Sequence, residues 1–176
     1  MKNPFLIGKN IYLSPLTKED VNPEYVNWLN DFEVCKYNSH SIIPNNLRKT
    51  FEYVEDVEKS QTKIVFAIKW KENDKHIGNV LLQQIDWISR SAEIAILIGD
   101  KDYWNKGVGT ECYNLLINYG FNSLNLNRIS SGQFTENKSM IRICEKVGME
   151  KEGILRKVFY KNGGYVDIVI YAIIKE

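Results

Sequence analysis

The sequence predicts an α/β fold of the α+β kind, with a mixed, mostly antiparallel sheet of about seven strands and about four helices. Three observations predict it. The hydrophobic period changes from helical to strand-like near Ile64, a strand–loop–helix–strand unit runs from Ala92 to Phe134, and two β-rich runs near the end flank Asn162-Gly163-Gly164.

The elements follow in order. Asn10 to Pro15 reads as a short strand, and Thr17-Lys-Glu-Asp20 has the S/T-x-x-D/E spacing of a helix start ahead of Tyr25, Trp28 and Leu29. From Asn45, the spacing of Leu47, Phe51 and Val54 suggests a second helix ending near Ser60. Ile64 to Trp70 and Ile77 to Trp87 are β-rich runs joined by polar turn formers, which suits an antiparallel hairpin. Ala92 to Ile98 is nearly all apolar, as in a central strand covered on both faces. A glycine-containing loop, Gly99 to Gly109, leads to a helix with Cys112, Leu115, Leu116 and Tyr119 on one stripe, and the strand Arg128 to Phe134 follows. A right-handed crossover makes the two strands of this βαβ unit parallel. Asn137 to Val147 reads as a helix with Asn137 as N-cap and Gly148 as its stop; Ile154 to Tyr160 and Tyr165 to Ile174 form the last hairpin.

At 176 residues the chain fits one domain, residues 1–176, without linker, repeat or low-complexity tract. Its 44% hydrophobic and 26% charged residues are those of a globular protein, and no segment approaches the roughly 18 apolar residues of a membrane span. A formal charge of +1 leaves no basic excess for neutralising phosphates, so neither nucleic acid nor membrane is an expected partner. Cys35, Cys112 and Cys144 are odd in number and far apart, so they imply neither a disulfide framework nor a metal pair. His40 and His76 are isolated, and no metal is expected. With no apolar signal region in Met1 to Lys9, the expected compartment is the cytoplasm.

The stretch that carries chemistry is Tyr103-Trp-Asn-Lys-Gly-Val-Gly-Thr110, between the central strand and an amphipathic helix. Gly107 and Gly109 let main-chain N–H groups approach a ligand, while the helix directs the positive end of its dipole at the same place. That is an anion cradle, although a Gly-x-Gly before a helix can equally be a tight connection. Neither G-x-x-x-x-G-K-[ST] nor G-x-G-x-x-G is present.

This segment resembles the acetyl-CoA-binding motif of the GNAT acetyltransferases, Q/R-x-x-G-x-G/A, and more closely the Y-W-G-K-G-Y-G-T form of the ribosomal-protein N-terminal and spermidine acetyltransferase branches. Asn105 stands where that branch commonly has glycine, and Trp104 occupies the Q/R slot, as is usual for the branch. Ser91-Ala-Glu-Ile94 resembles the family's fourth strand, Asn137 to Met149 its N-x-x-x-x-x-L-Y-E-K-x-G-F helix, and Glu152-Gly153 to Arg156 with Asn162-Gly-Gly-Tyr-Val-Asp167 the ending of the same branch. The resemblance implies a GNAT fold, its central parallel pair splayed around acetyl-CoA. It also implies transfer of acetyl from acetyl-CoA to a primary amine through a ternary complex.

By that resemblance the main chain of Ile96, Leu97 and Ile98 pairs with the pantetheine arm, and Trp104, Asn105, Lys106, Gly107, Val108, Gly109 and Thr110 form the pyrophosphate turn. Asn137 lies near the pantetheine and sulfur as well as capping its helix. Attack needs a neutral amine, whose ammonium has a pKa of about 10.4, so a base must take its proton. Glu93, on an otherwise apolar strand, is the candidate, the alternative being a glutamate paired with Arg90 or Arg128. Cys144 falls where the family often has a catalytic tyrosine. A small core residue is the bland reading for it, with Ser139 or Tyr165 as substitutes for the missing acid.

The acceptor is expected among the first two helices and the final hairpin, where Trp28, Asp31, Glu33, Tyr37 and Tyr165 offer carboxylates for an ammonium and rings for a sugar or cation. Trp28 can equally bury a helix face. The opening resembles enzymes that acetylate amino-sugar nucleotides, whereas Glu93 and the final hairpin resemble those acting on polyamines and protein N-termini. A non-catalytic acetyl-CoA-binding module is the alternative of another class. The residues give no oligomeric state; dimers are common in the branch, so the resemblance allows a homodimer.

Overall fold

In the computed structural model, which describes residues 1–176, all strands belong to one eight-stranded sheet of order β1-β2-β3-β4-β5-β6-β8-β7. The strands are β1 (Leu6–Ile7), β2 (Ile11–Pro15), β3 (Ile64–Trp70), β4 (His76–Asp86), β5 (Ser91–Ile98), β6 (Arg128–Phe134), β7 (Glu150–Lys161) and β8 (Gly164–Ile174). The helices are α1 (Pro23–Asn30), α2 (Leu47–Lys59), α3 (Val108–Asn122) and α4 (Lys138–Lys146). Of the directly paired strands only β5 and β6 are parallel, joined by the crossover through α3. β1, two residues long, is the strand that the sequence pattern does not announce.

Two apolar layers sandwich the sheet. On one face α3 and α4 cover Ile94, Ile129, Val169 and Tyr171 through Cys112, Leu116 and Cys144. On the other, Tyr25, Trp28 and Leu29 of α1 and Val54 of α2 pack with Leu16, Val65 and Ala67. Each fully buried aliphatic side chain contributes about 1.5–3 kcal/mol.

The helix starts differ from expectation in one place. Asp20 accepts from the Thr17 N–H at 2.9 Å, but this caps only one 3-10 turn, Lys18–Asp20. α1 begins at Pro23, whose missing N–H costs nothing in a first turn, under Asn22 accepting from the Tyr25 N–H at 2.9 Å. In α2 the inward row is Thr50 and Val54, while Leu47 and Phe51 are left exposed.

The closing hairpin turns at Asn162 and Gly163, both left-handed. Its outer strand β7 shifts register between Leu155 and Phe159, where Lys157 is also left-handed (φ 51) and donates its N–H to Asp167 Oδ1 at 2.7 Å.

Candidate functional site

The β5–β6 ladder is short. It pairs Ser91 with Arg128, Ala92 with Ile129 and Glu93 with Ser130, and stops, while β5 runs on to Ile98 and β6 to Phe134. A buried polar knot sits at the parting. The Ser131 hydroxyl donates to the Ile94 carbonyl at 3.0 Å and accepts from the Tyr113 hydroxyl at 2.8 Å and from Gln133 Nε2 at 2.6 Å. One donor and two lone pairs are thus all used, in side chains that are buried. Burial raises the Tyr113 phenol well above its usual value, so it remains a donor.

Ser130 and Ser131 hydroxyls reach the carbonyls of Ala92 and Ile94, which therefore face β6. By strand alternation Ile96 and Ile98 also turn their main chain into the gap, whereas Leu97, opposite Asn79, turns toward β4. The Ile98 carbonyl is held by Trp104 Nε1 at 2.9 Å.

Beyond Ile98 the chain enters the turn before α3. Asn105 (φ 60) and Gly107 (φ 81) are left-handed, which explains why asparagine can replace glycine at 105: its short polar side chain tolerates this conformation. Gly107 is the N-cap of α3, and no N–H from Asn105 to Thr110 has an acceptor in the protein. A run of free donors at the positive end of a 15-residue helix fits a diphosphate. Gly109 serves another need than ligand approach alone: a Cβ there would lie 2.6 Å from Ile143 Cδ1, so it lets α4 lie close to α3. Asn137 caps α4, accepting from the Met140 N–H at 3.3 Å.

Glu93 is half-buried at the last paired position of β5. Its two carboxylate oxygens accept from Gln83 Nε2 at 3.2 Å and Gln84 Nε2 at 3.3 Å. Neighbouring residues of a strand point to opposite faces; the irregularity between Gln83 and Asp86, with Gln84 left-handed (φ 51), is what turns both amides to one carboxylate. The ion-pair alternative is not realised, because Arg128 is paired with Glu152 and Glu93 forms no salt bridge. Cys144 is a core residue: burial pushes its thiol up to about 11, and Gln133 Nε2 lies 3.8 Å from its sulfur. Ser139 is exposed on the first turn of α4.

The acceptor candidates are only partly brought together. Trp28 is core, its ring packed over Gly99 and edge-on to His76 at 5.1 Å. Asp31 and Glu33 both pair with Lys101, at 2.8 and 2.5 Å, and Asp31 Oδ1 also caps the N–H groups of Glu33 and Val34, so neither offers a free carboxylate to an ammonium. Tyr165 stacks on Tyr160 at 5.1 Å, and alternation along β8 puts it on the α3/α4 face with Val169, away from Tyr37. Tyr37 packs against Phe134, the last residue of β6, at 6.2 Å, and Phe134 in turn packs on Phe159 at 5.0 Å. This aromatic wall at the far end of β6, and the Tyr113–Ser131–Gln133 knot, escaped the sequence reading. Ser131 and Gln133 left one signal, being polar at alternate positions where Ile129 starts a core-facing row.

Comparison with known proteins gives the family and the fold. A family model described as an acetyltransferase (GNAT) domain matches residues 10–150. Probable N-acetyltransferase YjcK of Bacillus subtilis (strain 168) is 33% identical over 178 residues, covering 96% of each chain. The crystal structure of spermidine N-acetyltransferase from Vibrio cholerae in complex with CoA and spermine superposes with a TM-score of 0.84 at 26% identity, over 94% of this chain and 95% of that one. RimL, a ribosomal L7/L12 alpha-N-protein acetyltransferase in complex with coenzyme A, gives 0.87 at 16% identity over 96% of each chain, a likeness of fold.

Proposed function

Because the chain belongs to the GNAT acetyltransferase family and is an acetyl-CoA-dependent N-acetyltransferase, we propose that it acetylates the primary amine of a small molecule, an amino-sugar nucleotide or a polyamine, by direct attack in a ternary complex. The carrying observation is the run of acceptor-less N–H groups from Asn105 to Thr110 beside the open β5–β6 gap. In this reading that turn holds the diphosphate, and the main chain of Ile96 and the N–H of Ile98 hold the pantetheine arm as an added strand. Asn137 borders the sulfur.

Glu93, oriented by Gln83 and Gln84, receives the ammonium proton directly or through one water. No side chain is assigned to protonate the departing thiolate, since Cys144 and Tyr113 both lie in the core, where burial raises their pKa values above the usual ones. The test is thiol release from acetyl-CoA with a panel of polyamines, amino sugars, their nucleotides and peptides with free N-termini. Turnover with an amine supports transfer. Stabilisation by acetyl-CoA with no amine turned over would leave a binding module instead.

A further inference from the structure

Lys161, the last residue of β7, reaches over the aromatic wall. On the α1/α2 face with Phe159, its ammonium donates to the main-chain carbonyls of Cys35 and Asn38, in the segment after α1 that carries Tyr37. Two neutral carbonyls orient this cation without neutralising it, and it makes no ion pair. The half-buried charge keeps a third N–H to donate. Burial pushes its pKa down, the mark of an uncompensated charge. A second cation, Lys36 Nζ, stands 5.1 Å from the Tyr37 ring centroid. The carboxylates of Asp31 and Glu33 turn to Lys101, not to Lys161, and keep one net negative charge among the three.

A polyamine is a polycation and needs several unpaired carboxylates; this mouth presents unpaired positive charge beside rings. We propose that Lys161 recognises an anion on the acceptor, so that the amine acetylated here carries a phosphate or carboxylate group and is not a polyamine. The proposal rests on the acetyl-transfer reading and narrows its substrate class. Tyr37, Phe134 and Phe159 supply the flat apolar surface against which the body of such an acceptor lies.

The experiment measures kcat/KM by thiol release for glucosamine, glucosamine 6-phosphate, UDP-glucosamine, γ-aminobutyrate and spermidine, in the wild type, Lys161→Met and Lys161→Arg. The expected result is a preference for the phosphorylated or carboxylated amines. In Lys161→Met the ratio of the preferred anionic amine to glucosamine falls about tenfold or more, and Lys161→Arg retains it. Spermidine as the best acceptor, or an unchanged ratio in Lys161→Met, would overturn the proposal. Thiol release from no amine would instead remove the transfer reading. Calorimetric binding of glucosamine 6-phosphate and UDP-glucosamine to the CoA complex then decides Lys161 by itself: about tenfold weaker binding in Lys161→Met supports it, and equal or absent binding in both proteins overturns it.

Discussion

Ser131 donates its hydroxyl to the Ile94 carbonyl at 3.0 Å, one residue past the last β5–β6 pair, and so gives a buried main-chain oxygen a partner where the ladder has ended. Ser131→Ala leaves that carbonyl, the Tyr113 hydroxyl and one Gln133 N–H unsatisfied, which costs about 1–3 kcal/mol in denaturant unfolding. If the hydroxyl also sets the gap, the KM for acetyl-CoA rises more than kcat falls, and Ser131→Thr restores it; a purely structural role would move stability alone.

Gly107 and Gly109 are needed for different reasons, and a second substitution separates them. Gly107→Ala meets no atom within 4 Å but forces a left-handed alanine, at about 1–2 kcal/mol. Gly109→Ala drives a methyl to 2.6 Å from Ile143 Cδ1, overpacking worth about 1–3 kcal/mol. Ile143→Val, which removes that carbon, recovers stability in the Gly109→Ala background and not in Gly107→Ala, as a double-mutant cycle measures.

Glu93→Gln lowers kcat/KM about 10²–10⁴-fold near neutral pH, the range for a lost general base. The deficit shrinks as pH approaches the ammonium pKa of about 10.4, where the amine arrives already neutral. A pH–rate profile with the best amine checks this, and an unchanged profile would remove Glu93 from its role.

His76 makes stability depend on pH. Burial holds its imidazole below the usual value, Nε2 contacts the Gly78 carbonyl at 2.9 Å and Asn79 Oδ1 at 3.0 Å, and Nδ1 has no partner to receive a second proton. The unfolded chain therefore binds more protons below about pH 6.5, and stability drops as pH falls from there toward the depressed folded value, with no effect above it. Asp20 adds a second loss at lower pH. Burial pushes its carboxyl up, but Lys69 and the Thr17 N–H outweigh this and hold it below its usual value, so its contribution disappears as pH falls below about 3.9. Denaturant midpoints between pH 8 and 5 should decline in the wild type and decline less steeply in His76→Gln, the remaining slope belonging to His40, which burial also holds below its usual value.

What could be read from the sequence was what local composition and element order encode. Ile64–Trp70 and Arg128–Phe134 are strands to the residue, the first a β-rich run bounded by polar turn formers and the second the strand that closes the strand–helix–strand unit, whereas Leu6–Ile7 is too short to carry a pattern. The turn from Asn105 to Thr110 was legible because consecutive residues make it. Long-range partners were not: Lys101 lies 68 residues from Glu33, and nothing local says that it consumes the carboxylates chosen for the acceptor. Tyr165 was placed by nearness to the hairpin, but its face is fixed by register with β6 through Val169 and Gln133. Gln83 and Gln84 could meet Glu93 only through a backbone irregularity that alternation does not foresee.

The register shift in β7 governs how this molecule behaves in a crowd. An outermost strand of 12 residues, bearing exposed Ile154, Leu155 and Val158, is a template on which a foreign chain could add itself hydrogen bond by hydrogen bond. The left-handed Lys157 bends that template midway, and exposed charges stud it, Glu150, Lys151 and Glu152 at one end and Arg156 and Lys157 at the bend. An intruding strand finds neither a straight row of donors and acceptors nor a neutral surface, which keeps copies of the protein from propagating the sheet into an aggregate.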